Sequence, residues 1–428
     1  MTDALFASLV FPMFCGLDFG TSNSTLAAIG ADGGPTLLPL ESGQRTVPSA
    51  LFFDFSANDM LIGRAAQAAY MSGADGRLMR ALKSILGSSL ASEKTRIKAR
   101  LLPFVDIIGL FVAELKRRGE TATGAPLSQV VAGRPVHFVD GDEAADQLAQ
   151  QQLEAAIRAQ GFAEIAFQFE PIAAALDYER QVADEELGLV IDLGGGTSDF
   201  SIVRVSPERA RAAERQGDIL AAAGVHIGGT DFDRLLSLAR VMPRLGYRTE
   251  TADGKRPLPS GPYYDLATWH RINQLYTPQM LAELRSTARE AAQPERVEEM
   301  ISIIAHREGH RLAAAVEAAK ITLTDDERAM VSFVGEEIEL DVPVTRAQLA
   351  HALTRSIERI EETIGETLRR AGLTAARIDT LILTGGSTRI PAIMARLHGL
   401  FPDARFVETD AFGSVGLGLA LDARRKFG

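Results

Sequence analysis

The stretch CGLDFGTSNSTLA, residues 15–27, runs an apolar segment into Asp18 and follows it with Gly20, Thr21, Ser22 and Asn23. Glycine allows a tight turn, and hydroxyl, amide and backbone N–H donors at its tip are groups that can surround an anion such as a phosphate. The same order returns at 187–205, LGLVIDLGGGTSDFSIVRV, where Asp192 precedes Gly194, Gly195, Gly196 and Thr197, with Asp199 just beyond. Each copy predicts a β-hairpin with its donors at the turn. A single copy is what many polar turns look like. Two copies in the two halves of the chain predict two related lobes facing one cleft, with Asp18 and Asp192 at equivalent places. Carboxylates so placed suit a magnesium ion that keeps several waters and offsets polyphosphate charge.

Two more glycine turns follow the same logic. In VHIGGTDFDRLLS (225–237) a strand leads to Gly228 and Gly229 and then to a helix that Thr230 or Asp231 is expected to cap. In LILTGGSTRIPAI (381–393) a strand empties into Gly385, Gly386 and Ser387, with Arg389 before a helix beginning at Ile390 and Pro391. Either turn alone could be only a helix start. Four at strand ends in one chain describe a cleft lined with glycine.

The elements that must position these turns alternate in type. A strand over 129–136 precedes an amphipathic helix over 141–161 that Gly161 closes. A strand over 165–171 leads to a helix from Ile172; later come a helix over 345–371, a strand over 378–386 and a final helix over about 411–426. This is an α/β pattern. Residues 242–310, interrupted by proline, read as a mostly helical insertion whose Gly- and Pro-rich loop, 251–262, is the segment expected to move most.

Composition narrows the function classes. The chain has 428 residues, 46% hydrophobic and 24% charged, as an ordinary globular protein of two or three domains would. A formal net charge of −11 argues against nucleic acid or an anionic membrane as partner. The one cysteine, Cys15, forms no intrachain disulfide and reads as a small buried strand residue in a reducing compartment. LFASLVFPMFCGL (5–17) has the length of a signal-peptide core, but no Lys or Arg precedes it and Pro12 interrupts it. It is read as a first strand of a cytoplasmic protein without a membrane span. His306 and His310, spaced i and i+4, carry a zinc-compatible spacing without a third ligand and are read as structural, as is His226.

The segments GLDFGTSNS, VIDLGGGTSDFS, FEPIAAALDY, HIGGTDFD, VEAAKITLT and LTGGSTRIPAI occur in the order found in heat-shock protein 70 (DnaK) chaperones. The chain resembles the actin-type ATPase domain of that family over nearly its whole length, and most of all the short YegD-type members. The resemblance implies an actin-like ATPase fold: two ribonuclease-H-like lobes, mixed sheets flanked by helices, around a nucleotide cleft. Lobe I is expected over 1–186 with an insertion at about 36–125, and lobe II over 187–428 with an insertion at about 230–320.

It also implies site roles. Gly20 to Asn23 and Gly194 to Thr197 wrap the phosphates of ATP or ADP, while Asp18, Asp192 and Asp199 hold Mg²⁺ mainly through water. Lys83, Glu170, Asp192 and Thr197 carry hydrolysis by orienting a water in line with the terminal phosphate. Glu317, Lys320 and Thr324, three and four apart on one helix, take the adenosine end. Gly228, Gly229, Gly385, Gly386, Ser387 and Arg389 complete the pocket, with Asp410 at its back. Ile321 stands where the family usually has an arginine stacked on adenine, which weakens the expected grip on the base.

The sequence closes on LDARRKFG, so no peptide-gripping β-sandwich is expected. A coupled refolding cycle is therefore not inferred. The leading expectation is an ATPase that switches the angle between its lobes to control an unidentified protein partner. A non-hydrolysing nucleotide sensor or actin-like filament protein is the alternative, and a small-molecule kinase a lesser one.

Overall fold

The structure is a computed structural model that describes residues 13–139, 141–179, 182–212, 214–408 and 413–428. Asp410, the residues before Met13 and the expected start of the last helix lie outside the described residues.

Both glycine-turn repeats are hairpins, and each opens a sheet of the same design. In the first, Met13–Phe19 pairs antiparallel with Asn23–Ile29, which pairs with Pro35–Leu37 and Val47–Pro48. On its other side Met13–Phe19 pairs parallel with Leu127–Arg134, which pairs parallel with Glu164–Phe169. In the second, Glu186–Leu193 pairs antiparallel with Ser198–Val205, which pairs with Ile219–Val225. Its other neighbour is the parallel strand Thr380–Thr384, followed by Arg405–Glu408. Numbered by appearance within its own sheet, each path reads 3-2-1-4-5. Asp18 faces Thr25 across its hairpin and Asp192 faces Asp199 across the other. The repeat in the sequence is thus a repeat in topology. This is the actin-like ATPase fold that the motifs imply.

Between the sheets lie two helices, Glu170–Glu179 and Ser414–Phe427. Their apolar faces, with Ile172, Leu176 and Leu419, form one core with Val131 of the first sheet and Val190, Val203 and Ile382 of the second. Small residues set the approach: a Cβ on Gly418 would stand 1.8 Å from the Ala173 carbonyl oxygen, and one on Gly16 only 2.4 Å from the Ala420 nitrogen. Cys15 is fully buried in the first sheet, where burial pushes its thiol far up from the usual range.

Local signals place most helix ends. Asp142 accepts from the Ala145 N–H to start Glu143–Arg158, and Thr345 with Gln348 makes a reciprocal cap for Arg346–Ala371. Three expectations change. The helix Gly229–Leu236 is capped by Gly228, with Asp231 reaching back to the Gly228 N–H, rather than by Thr230 or Asp231 as first residue. His306 and His310 do not share a helix: one ends Pro294–Ala305, the other sits in the first turn of Gly309–Asp325, and Arg307 between them takes φ +56°. The loop 251–262 is pinned. Ala252 N–H donates to the Glu290 carbonyl at 2.7 Å, Leu258 N–H to Thr249 at 2.9 Å, and Thr251 and Leu258 are buried. Among the described residues no helix is long and apolar enough to cross a membrane.

Candidate functional site

The two hairpin turns meet. A Cβ on Gly195 would stand 2.0 Å from the Ser22 hydroxyl oxygen, so glycine is what allows the second turn to lie against the first. Gly194 N–H donates to the Thr197 carbonyl at 2.9 Å, closing the second turn. The Gly228–Thr230 turn is fastened to that turn by three bonds: Gly229 N–H to Gly194 O at 3.0 Å, and Thr230 N–H and Oγ1 to Gly195 O at 2.8 and 2.9 Å. A Cβ on Gly228 would meet the Gly196 nitrogen at 2.5 Å. Gly385, at φ +81°, lies against Leu193 and Asp192, and leads into the turn Gly386–Arg389.

Ser49 pins the first turn, which no motif announced. Its hydroxyl donates to Gly20 O at 2.6 Å and lies 2.8 Å from the Ser24 hydroxyl, while its N–H donates to Ser22 O at 2.8 Å. The contact joins residues 29 apart in sequence, beyond the reach of any local pattern.

Four charged side chains converge beside these turns. Lys83 Nζ and Glu170 Oε1 form a largely buried ion pair at 2.6 Å. Lys83 sits in a short 3₁₀ turn, Leu82–Ile85, launched by Ala81 at φ +54°; Glu170 is the first residue of its helix. Burial, and then the charge of Glu170, push the Asp18 carboxyl up to about 7, with Lys83 opposing. Burial, followed by Asp199, Glu170 and Asp18, push Asp192 up to about 8. Burial alone would lower Lys83, but Glu170, Asp18 and Asp192 outweigh it and hold its ammonium above the usual range. The site thus holds more carboxyl groups than its one lysine can pair with, and two of them keep their protons to unusually high pH. Asp199 is exposed and accepts from the Thr197 hydroxyl at 3.0 Å. A cavity of about 40 Å³, room for a few waters, is lined by Glu170, Asp192, Asp199 and His137.

The helix Gly309–Asp325 borders the other end. Glu317 and Ile321 are exposed on it, Ile321 to 58%, and Thr324 is half-buried. Lys320 is instead buried beneath the glycine turn, its Nζ 2.8 Å from Asp233 Oδ1 and donating to Gly229 O at 3.2 Å. Asp233, which sequence reasoning passed over inside HIGGTDFD, therefore holds Lys320 under the turn. Burial pushes Asp233 up to about 6 despite that lysine. Ser387 lies close to Gly229, and exposed Arg389 lies 3.6 Å from Asp325. Of the expected residues, Glu170, Asp192 and Asp199 line one cavity, Lys83 pairs with Glu170, the turns at Ser22, Gly195 and Gly228 touch, and Lys320 and Asp199 take the partners given above.

The family model described as Hsp70 protein matches residues 14–105, 103–241 and 295–424. Chaperone proteins DnaK of Thermotoga petrophila, Thermotoga maritima and Thermotoga neapolitana are each 28% identical over 418 residues, 95% of this chain. The chain spans 58% of the length of those relatives. The chain belongs to the Hsp70 family.

Proposed function

We propose that this chain binds MgATP between its lobes, hydrolyses it slowly, and uses the nucleotide state to set the angle between the lobes and thereby its hold on a protein partner. The observation that carries this reading is the meeting of two glycine turns, Gly20–Asn23 and Gly194–Thr197, beside an acid-rich cluster with a single lysine. Gly195, Gly228 and Gly385 let the turns pack on one another, while a Cβ on Gly196 would meet nothing within 4 Å, so an anion can approach the backbone at that position.

The donor set also fits magnesium. Asp18, Asp192 and Asp199 would hold the ion, and the lined cavity has room for its waters. Among the described residues no group of three or more His, Cys, Asp or Glu side chains converges to bind a metal directly, which accords with holding through water. When bound, the ion neutralises charge on the phosphate oxygens. Amides and hydroxyls of the two turns clamp the terminal phosphate. Lys83 donates toward the transferred group, while Glu170 and Thr197 orient the attacking water. Gly385 to Arg389, Glu317 and Thr324 bracket the nucleoside, and Lys320 supports the glycine turn from below.

The DnaK relatives are named as chaperones, which supports a chaperone-type role and a protein partner for this chain. Calorimetric titration with ATP, ADP and GTP, with and without Mg²⁺, together with phosphate release, tests the reading. Tight Mg²⁺-dependent binding of ATP and ADP with slow turnover is expected. No binding of any nucleotide would overturn it, and binding without turnover would turn it into a nucleotide sensor.

A further inference from the structure

Two small hairpins, each a two-stranded sheet of its own, carry opposite charge. In the first, Lys94–Ile97 pairs antiparallel with Arg100–Pro103. Thr95 and Ile97 are buried, while Lys94, Arg96, Lys98 and Arg100 are exposed, four cations within seven residues. Leu101 stands 55% exposed across from Arg96. In the second, Arg328–Val334 pairs antiparallel with Glu339–Thr345. Val331, Phe333, Leu340 and Val342 are buried, and the other face shows Met330, Val334, Glu339 and Asp341, with Glu336 and Glu337 exposed at the turn. Val334 lies across from Glu339, and no cation falls between Arg328 and Arg346.

These charges are barely used within the chain. Among the described residues no ion pair reaches Lys94, Arg96, Lys98 or Arg100; Lys98 donates to Asn58 Oδ1 at 3.1 Å and lies over the Phe55 ring. Of the four acids only Glu336 lies within ion-pair distance of a basic side chain among the described residues, His306 at 3.8 Å, and Glu337 accepts from the Ser302 hydroxyl. No hydrogen bond or ion pair among the described residues joins one hairpin to the other. Charge on a short two-stranded sheet would by itself keep other strands away. Large apolar side chains beside it do the opposite. Among the described residues the four most exposed of these are Val334 at 62%, Ile321, Leu101 and Met330 at 49%. Ile321 borders the nucleotide cleft, and the other three stand on the two hairpins.

We propose that two copies of this chain associate by setting the basic hairpin of one, with Leu101, on the acidic hairpin of the other, with Met330 and Val334. A chain that carries both halves of a complementary contact finds a matched partner in a second copy of itself. Each hairpin offers an apolar centre beside charge of one sign, so the charges orient the approach while the apolar side chains leave water. Exposed ion pairs add little each, and the patches are small. The association is therefore weak, driven by concentration and loosened by salt. It stands apart from the nucleotide reading, since none of these residues is placed in the site.

Sedimentation velocity of the full chain up to high micromolar concentration tests it. The mass is expected to rise with concentration above the 46.0 kDa of one chain, whether it stops at a pair or runs on, since contact between unlike patches permits both. It should fall back as salt is raised from about 0.05 to about 0.5 M. Lys94→Glu with Arg96→Glu reverses the charge beside Leu101, and Glu339→Lys with Asp341→Lys reverses it beside Val334. Each double variant alone should associate at least about tenfold more weakly, because like charges then meet. An equimolar mixture of the two should regain association, because the reversed faces match. Mixing repairs neither a lost fold nor a contact within one chain, so the regain is specific to a contact between copies. A wild type that keeps the mass of one chain at every concentration in low salt, double variants that associate as well as wild type, or a mixture that stays apart would each overturn the proposal and leave the nucleotide reading standing.

Discussion

Truncating Lys83 to alanine removes the one cation from a cluster that holds Glu170, Asp18 and Asp192. At 2.6 Å and an effective dielectric of about 20, the Lys83–Glu170 attraction is about 6 kcal/mol. Relief of the buried ammonium's desolvation takes back roughly half, leaving on the order of 3 kcal/mol, the lower edge of what breaking a buried pair costs. The loss depends on pH with a definite sign. Asp18 and Asp192 have folded values of about 7 and about 8, raised from 3.8. The nucleotide-free protein is therefore most stable below about 4 with respect to these groups, and loses that contribution as pH rises through 7 and 8. Without Lys83 both acids are pushed further up, so the fall continues to higher pH. Urea unfolding of the Mg²⁺-free protein at pH 5 and pH 8 measures this. The difference between wild type and Lys83→Ala should be about 3 kcal/mol at pH 5, from the Glu170 pair, and larger at pH 8, where Asp18 and Asp192 also carry charge beside the missing ammonium. In single turnover the same variant should hydrolyse ATP far more slowly while MgATP affinity stays within a few-fold. An equal loss at both pH values, or unimpaired hydrolysis, would refute the reasoning.

Asp192→Asn keeps the shape of the side chain but not its charge, and should weaken MgATP binding while raising the stability of the nucleotide-free protein at pH 8, as read by calorimetry and melting. Ile321→Arg should tighten ADP a few-fold to about thirtyfold through stacking and slow its release in stopped flow. Equal rates would show that position 321 does not face the base. Gly228→Ala places a Cβ 2.5 Å from the Gly196 nitrogen and should cost about 1–3 kcal/mol together with nucleotide affinity. Burial holds His310 down to about 4 from 6.5, with the Arg80 charge acting in the same direction. It thus favours folding above about 6.5 and loses about 3 kcal/mol as pH falls toward 4. Tyr70 and Tyr276 face the same ring but titrate well above this range. His310→Gln should flatten that part of the stability profile.

What could be read from the sequence was local. Each hairpin is specified by residues within a dozen positions, and the repeat around Asp18 and Asp192 foretold two sheets of one topology. The helix caps at Asp142 and Thr345 obey nearest-neighbour chemistry in the same way. What escaped is non-local. Ser49 reaches Gly20 only after a hairpin has folded back, and Lys320 is drawn under the turn by Asp233, 87 positions earlier in the numbering. The helical periodicity put Glu317, Lys320 and Thr324 on one face correctly, yet that face is partly covered by the Gly228–Gly229 turn. The Tyr70–His310 contact spans 240 positions, and none of its members belongs to a glycine motif. Proline and glycine in 251–262 promised mobility, whereas backbone bonds to Thr249 and Glu290 fix that loop.

Gly418 against Ala173 carries a consequence for how the lobes can turn. Helices usually cross by setting ridges of side chains into grooves, which favours a few angles and makes passage between them a jump. Here the crossing point is backbone on backbone, 1.8 Å from where a methyl would begin. No tooth is present to catch. If the lobes turn as proposed, these two helices would roll on one another at that point rather than jump from one register to the next. Ala173 lies three residues from Glu170 on the same helix, so such a roll would carry the Glu170 carboxylate with it.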